Sequence, residues 1–268
     1  MIFKSPSSVA FSVFGYDIKF YGIMLFLGML SGIFAAYFVS KKYYKNIDLD
    51  TLADFFPILI IFSIIGARIY YVLLSFDFYS KYPAEIFAVW HGGIAIHGAI
   101  LGGIITGIIY FKFLKKIPLL PYADVISYGL AIGQSIGRWG NFFNQEAFGT
   151  PCNLPWKLYI EPAFRPSTFM QYSYFHPAFL YESIWDICVF LILFFVIRKW
   201  AKNRYGIVFF SYLGLYSIGR IIIENIRIDS VLNVQSVPIA LLVSVLTLLI
   251  SVFAIIFLTY KYKKPAIT

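Results

Sequence analysis

Charge is what this sequence has least of. Only 13% of its 268 residues are Asp, Glu, Lys or Arg, against about 25% in an ordinary soluble domain. That scarcity excludes a water-facing surface of normal composition. Cysteine is nearly absent too, with Cys152 in a predicted loop and Cys188 inside a predicted helix. They lie at different depths, which argues against a disulfide, and neither has the spacing of a metal site. Histidine occurs three times. His91 and His97 fall about 120° apart on a helix, so they make no metal pair. There is no internal repeat, which withholds support from a transporter built of duplicated halves. The net charge of +9 comes in short clusters between apolar runs, which is membrane orientation rather than nucleic-acid binding.

What is abundant is apolar. Hydrophobic residues make up 60% and aromatics 21%, with a mean hydropathy of +0.78. The runs are long enough to cross a bilayer. Seven spans are predicted, near 20–40, 54–75, 87–110, 118–139, 178–197, 205–223 and 237–259. The first is not directly preceded by a basic n-region and no small-residue cleavage site follows, so it reads as a retained helix. The expected fold is an all-α integral membrane protein, one polytopic domain over residues 1–268.

The connections alternate in charge. One side carries thirteen basic residues, in groups at 41–45, 112–116, 198–204 and 261–264; the other carries six, Lys4, Lys19, Lys81, Lys157, Arg165 and Arg227. This bias places the N-terminus outside and the C-terminus in the cytoplasm. The longest connection, 142–177, then faces outward. Pro151, Pro155, Pro162 and Pro166 together with Trp156, Phe164, Phe169, Tyr172, Tyr174 and Phe175 predict a cap on the membrane surface.

Three arginines, Arg68, Arg138 and Arg220, remain within or at the ends of apolar spans. A guanidinium at the centre of a membrane helix costs about 2.5–3.5 kcal/mol and does not readily shed its proton. Each therefore needs an anionic partner or a wet cavity. For Arg68 both a lipid and a buried ion pair stay open. At a rise of about 1.5 Å per residue, Arg138 falls at the outer boundary and Arg220 in the outer third. His97 falls about 15 Å below the outer surface on a third span beginning at 87. That is the depth of an outer-leaflet headgroup.

Two clusters carry chemistry. Residues 137–149 hold Arg138, Asn141, Asn144 and Glu146 between glycines that end at Gly149. Capping needs one polar residue, not four. The second cluster is Tyr216, Arg220, Glu224, Arg227 and Asp229. Arg220, Glu224 and Arg227 share a helical face at i, i+4 and i+7. Two arginines flank one glutamate, leaving positive charge for an anion. The third span carries Gly98-x-x-x-Gly102 and Gly103-x-x-x-Gly107, which permit close approach of a helix or a lipid chain. His176-Pro177 and Tyr181 begin the fifth span and either line the cap side of the cavity or hold the cap down.

These residues resemble the bacterial prolipoprotein diacylglyceryl transferases. Residues 137–149 match that family's Gly-Arg-x-Gly-Asn, two apolar residues, Asn-x-Glu-x-x-Gly. Agreement extends to Tyr21-Gly22, Trp90-x-Gly-Gly-x-x-x-His97-Gly98, His176-Pro177 with Tyr181-Glu182, and Tyr216 with Arg220, Glu224 and Arg227. Ala99 departs, standing where the family commonly has a second glycine. The resemblance implies transfer of the diacylglyceryl group of phosphatidylglycerol to the lipobox cysteine of a lipoprotein precursor, at the bacterial inner membrane. It implies no cofactor, metal or nucleic acid. Arg138 and Arg220 would clamp the phosphate and His97 would take the thiol proton. Tyr21, Asn141, Glu146, Gly149, Tyr216, Glu224 and Arg227 would bind or orient substrate. The rival is a non-catalytic phospholipid or anion transporter using the same arginines.

Overall fold

The computed structural model describes residues 2–202, 204–228, 233–234 and 237–263; Asp229 and Lys264 lie outside them. Seven long helices follow one another: α1 (Phe20–Tyr43), α2 (Leu49–Leu74), α3 (Ile96–Leu114), α4 (Leu119–Asn144), α5 (Ala178–Ala201), α6 (Ile207–Glu224) and α7 (Ile239–Lys261). Six of them are long and apolar enough to cross a membrane. The exception is α4. It has 26 residues, about 39 Å of helix, but Asp124, Gln134, Arg138 and Asn141 interrupt its apolar face.

The chain separates into two compact units, Ser40–Tyr122 and the remainder formed by Met1–Val39 with Ala123–Thr268. In the smaller unit α2 and α3 pack backbone to backbone. A Cβ on Gly98 would lie 2.3 Å from the Gly66 carbonyl oxygen, and one on Gly102 would lie 2.6 Å from that of Phe62. The glycine spacing in the third span thus serves a helix neighbour. Asp48 starts α2 by accepting hydrogen bonds from the Asp50 and Thr51 amides and the Thr51 hydroxyl. Those bonds hold its carboxyl below the usual range.

The predicted third span begins too early. Residues 83–91 form short 3-10 turns, and Gly92 and Gly93 at φ 87° and 76° break the chain before α3 starts at Ile96. Their left-handed backbone is one that glycine adopts without steric cost. His97 therefore stands in the first turn of α3, rather than nearly three turns within it. Arg68 explains the turns. Its guanidinium is buried and donates to the carbonyls of Glu85, Ile86, Ala88, Gly92 and Gly93, and it lies over the Tyr79 ring. It holds a loop. Neither expectation for Arg68, lipid or buried ion pair, describes it.

In the larger unit, glycines again set helix spacing. Cβ atoms on Gly28 and Gly32 would lie 2.6 Å from the carbonyl oxygens of Gly133 and Gly129, so α1 lies flush on α4. The segment after α4 is compact. Strands β1 (Phe3–Lys4), β2 (Val9–Val13), β3 (Tyr16–Lys19), β4 (Leu158–Tyr159) and β5 (Tyr174–Phe175) form a three-stranded sheet, ordered β1-β4-β5, and a β2–β3 hairpin. The sheet closes over a core of Phe142, Phe148, Leu158, Ile160, Phe175 and Phe179. This cluster binds residues 142–177 to the ends of α4 and α5.

Candidate active site

Three arginines converge on one carboxylate. Glu182, one turn into α5 and buried, receives Arg138 Nη1 at 3.1 Å, Arg220 Nη1 at 2.8 Å and Arg227 Nη1 at 3.1 Å. Arg220 Nη2 also meets Glu224 at 2.6 Å, the i, i+4 pair expected along α6. Arg138 Nη2 donates to the Tyr216 hydroxyl at 3.3 Å. Arg138 of the first cluster therefore joins Tyr216, Arg220, Glu224 and Arg227 of the second in one constellation. Its centre, Glu182, is a residue sequence reasoning named only within a motif. The signal was present: an acidic residue one turn into an apolar helix needs a cation near it.

The pocket between these groups is small, about 10 Å³, room for a single water. Arg138, Glu182, Trp185, Asp186, Tyr216, Gly219, Arg220 and Ile223 line it. Its charge balance differs from the expectation of two arginines around one glutamate. Three guanidinium groups face Glu182 and Glu224, and Asp186 is buried in the same wall with Oδ2 making no hydrogen bond to the described residues. The surplus positive charge is thus one at most. Glu182 Oε1 accepts from Arg220 and Arg227, while its Oε2 lies 3.1 Å from Arg138 Nη1.

The other expected residues fall around this pocket rather than in it. Asn141 Nδ2 donates to Glu146 at 2.9 Å and Asn144 Nδ2 to the same oxygen at 3.4 Å. Gln145 and Ala147, at φ 53° and 56°, turn the chain so that Glu146 folds back on both asparagines. Non-glycine residues rarely adopt this backbone. The buried Gln145 amide oxygen accepts the Glu161 amide at 2.8 Å and so anchors the turn. Tyr21, at the start of α1, packs on Gly140, where a Cβ would lie 2.8 Å from its ring. Gly149 has no side-chain role. Its amide donates to the His176 carbonyl at 2.9 Å, and a Cβ would sit 2.7 Å from Ile226 and 2.8 Å from His176.

His176 and Tyr181 tie down residues 142–177. The Tyr181 hydroxyl receives the Trp156 indole N–H at 3.1 Å and lies 3.2 Å from His176 Nδ1. Burial pushes the His176 imidazole below its usual value. Of the two readings of this pair, the geometry supports holding the segment down, since neither residue lines the arginine pocket. His97 belongs to the smaller unit. It is exposed in the first turn of α3, with its ring 5.9 Å from that of Tyr70.

Comparison with known proteins gives one answer. A family model described as Prolipoprotein diacylglyceryl transferase matches residues 8–257. A protein of Nostoc sp. named phosphatidylglycerol–prolipoprotein diacylglyceryl transferase is 44% identical over 235 residues, covering 86% of this chain and 82% of the relative. One of the same name from Synechococcus elongatus is 42% identical over 260 residues, 96% of this chain and 89% of the relative. Another, from Thermotoga maritima, is 40% identical over 247 residues, 91% and 82%. These names give the transporter reading no support.

Proposed function

The chain belongs to the prolipoprotein diacylglyceryl transferase family, and we propose that it moves the diacylglyceryl group of phosphatidylglycerol onto the lipobox cysteine of a lipoprotein precursor. The observation that carries this reading is the convergence of Arg138, Arg220 and Arg227 on Glu182. Guanidinium groups already spaced about a carboxylate are spaced for a phosphate oxygen pair of similar size.

The reaction follows from that geometry. The cysteine loses its proton, and the thiolate attacks the glyceryl carbon bearing the phosphate ester. A C–S bond forms, the C–O bond breaks, and glycerol phosphate departs with the electron pair. Negative charge grows on the leaving phosphate as the C–O bond lengthens, and Arg138 and Arg220 face that charge directly. Glu224 orients Arg220 and Tyr216 orients Arg138, so little reorganisation is needed at the moment of reaction. Entry of the phosphate requires Glu182 to yield its place between the arginines. His97 accepts the thiol proton as general base. Asn141 and Glu146 orient the headgroup, and Tyr21 and Arg227 complete its binding.

The protein is a multi-pass membrane protein, and we read it as one polytopic domain in the bacterial inner membrane. All seven long helices cross, α4 with its polar face turned to the site. The N-terminus and residues 142–177 face outward, as the thirteen-to-six division of basic residues supports.

The test is direct. Purified protein is incubated with phosphatidylglycerol and a lipobox peptide, and the peptide is weighed by mass spectrometry. The expected result is a diacylglyceryl mass increment, lost in Arg138→Ala and in Arg138→Lys, because a point charge cannot serve Glu182 and Tyr216 together. An unchanged peptide, or full modification by Arg138→Ala, ends the reading.

A further inference from the structure

The two arginines proposed to clamp the phosphate stand on different helices, and something must hold those helices in register. Among the described residues, the loop before α6 supplies no side-chain cap of its own. Gly206, at φ 93°, has no side chain to meet the first amides of α6, and uncapped helix N-termini leave four N–H groups without partners. Asp124, buried on α4, fills the gap from another helix. Its Oδ2 accepts the Gly206 amide and its Oδ1 the Phe209 amide, each at 2.8 Å.

Two further rungs join the same helices. The Tyr212 hydroxyl donates to Gln134 Oε1 at 2.8 Å, and Arg138 donates to the Tyr216 hydroxyl at 3.3 Å. The partners ascend together on both helices, so α4 and α6 run parallel. Arg138 lies fourteen residues beyond Asp124, and Arg220 fourteen beyond Gly206, about 21 Å in each case. The third helix is pinned beside its own charged residue. Ser183 donates to the Ser135 carbonyl of α4 at 2.9 Å, and Trp185 to the Leu215 carbonyl of α6 at 2.9 Å. These two residues follow Glu182 by one and three positions.

We infer that Asp124 and the Gln134–Tyr212 pair are positioning residues, which set the axial register of α4 against α6 and thereby the relative height of Arg138 and Arg220. This rests on the reading that those arginines hold the phosphate. None of the three lines the arginine pocket, and Tyr212 reaches it only by stacking on Tyr216, so their contribution is made through the placement of other residues. Misplacing a reacting group by about 1 Å is enough to cost on the order of a hundredfold in rate.

The experiment compares full-length Asp124→Asn, Tyr212→Phe, Tyr216→Phe, Arg138→Ala and the paired variants in lipid nanodiscs, with turnover corrected for folded fraction. Asp124→Asn replaces one acceptor with a donor facing an amide. It is expected to lower kcat roughly ten- to a hundredfold while the KM for phosphatidylglycerol moves less than about threefold. Tyr212→Phe, which has no capping duty, is expected to lower kcat by roughly threefold to tenfold, and it decides the matter if Asp124→Asn does not fold. In the Tyr216→Phe background each loss should shrink, because the register then has one contact fewer to protect. Wild-type kcat in folded Tyr212→Phe and Asp124→Asn, beside an inactive Arg138→Ala, overturns the inference. Fully additive losses across the two backgrounds also overturn it, since they mark a purely structural role. Wild-type turnover in Arg138→Ala overturns the phosphate clamp and the inference with it.

Discussion

At the scale of single residues, Glu182 decides how this site behaves. It is the shared partner of Arg138, Arg220 and Arg227, so it both holds their side chains and blocks the space between them. Glu182→Gln keeps the shape and removes the charge. Breaking a buried ion cluster by deleting one partner is expected to cost about 3 kcal/mol, visible as a lower melting temperature. The same change should tighten binding of glycerol phosphate, because the anion no longer competes with a carboxylate. Isothermal titration separates these effects, and a weaker glycerol phosphate affinity would show that Glu182 assists the anion instead. The Arg220–Glu224 pair was legible from its i, i+4 spacing. The helical face expected to include Arg227 was not formed, because α6 ends at Glu224 and Arg227 reaches Glu182 from the bridge it makes with Gly149. Glu182 was not legible, because contact between α5 and the two arginine-bearing helices has no sequence period. Arg68 misled for a related reason: a buried guanidinium can be satisfied by backbone carbonyls, and no residue type announces those.

At the scale of elements, glycine spacing and one histidine carry the expectations. Gly28→Ala places a Cβ 2.6 Å from a backbone oxygen of α4, so α1 must lift away and draw Tyr21 off Gly140. A loss of about 1–3 kcal/mol is expected from such overpacking, with reduced turnover. Gly22→Ala meets nothing within 4 Å and should change the melting temperature little. Equal destabilisation by the two would refute backbone contact as the reason for Gly28. The segment bound by His176 should respond to pH. Its imidazole is depressed when folded, so the unfolded chain takes up a proton first as pH falls. Stability of this segment is therefore complete above about 6.5 and declines below it. Limited proteolysis across that range reads it, and His176→Gln should flatten the slope. The late start of α3 belongs here as well. Apolar periodicity runs on through 87–95, but Gly92 and Gly93 with the carbonyl cage of Arg68 favour turns over helix.

At the scale of the molecule, orientation is open to direct measurement. A cysteine introduced at Asn153, in a chain with Cys152 and Cys188 replaced by serine, should react with an impermeant maleimide in spheroplasts. One at Lys116 should react only after the membrane is opened. The reverse pattern would invert the topology drawn from the basic residues. Composition and hydropathy by themselves determined that this chain is built of membrane-length helices, because the free energy of burying apolar residues in lipid depends on each segment's own residues. The clustered polar residues of 137–149 and 216–227 were likewise marked by their cost in such surroundings. Only the tertiary structure decided that three arginines share one glutamate, that Arg68 holds a loop, and that Asp124 caps a helix 82 residues away. Those are contacts between distant segments, set by how helices pack, and local sequence carries no record of which partners packing will bring together.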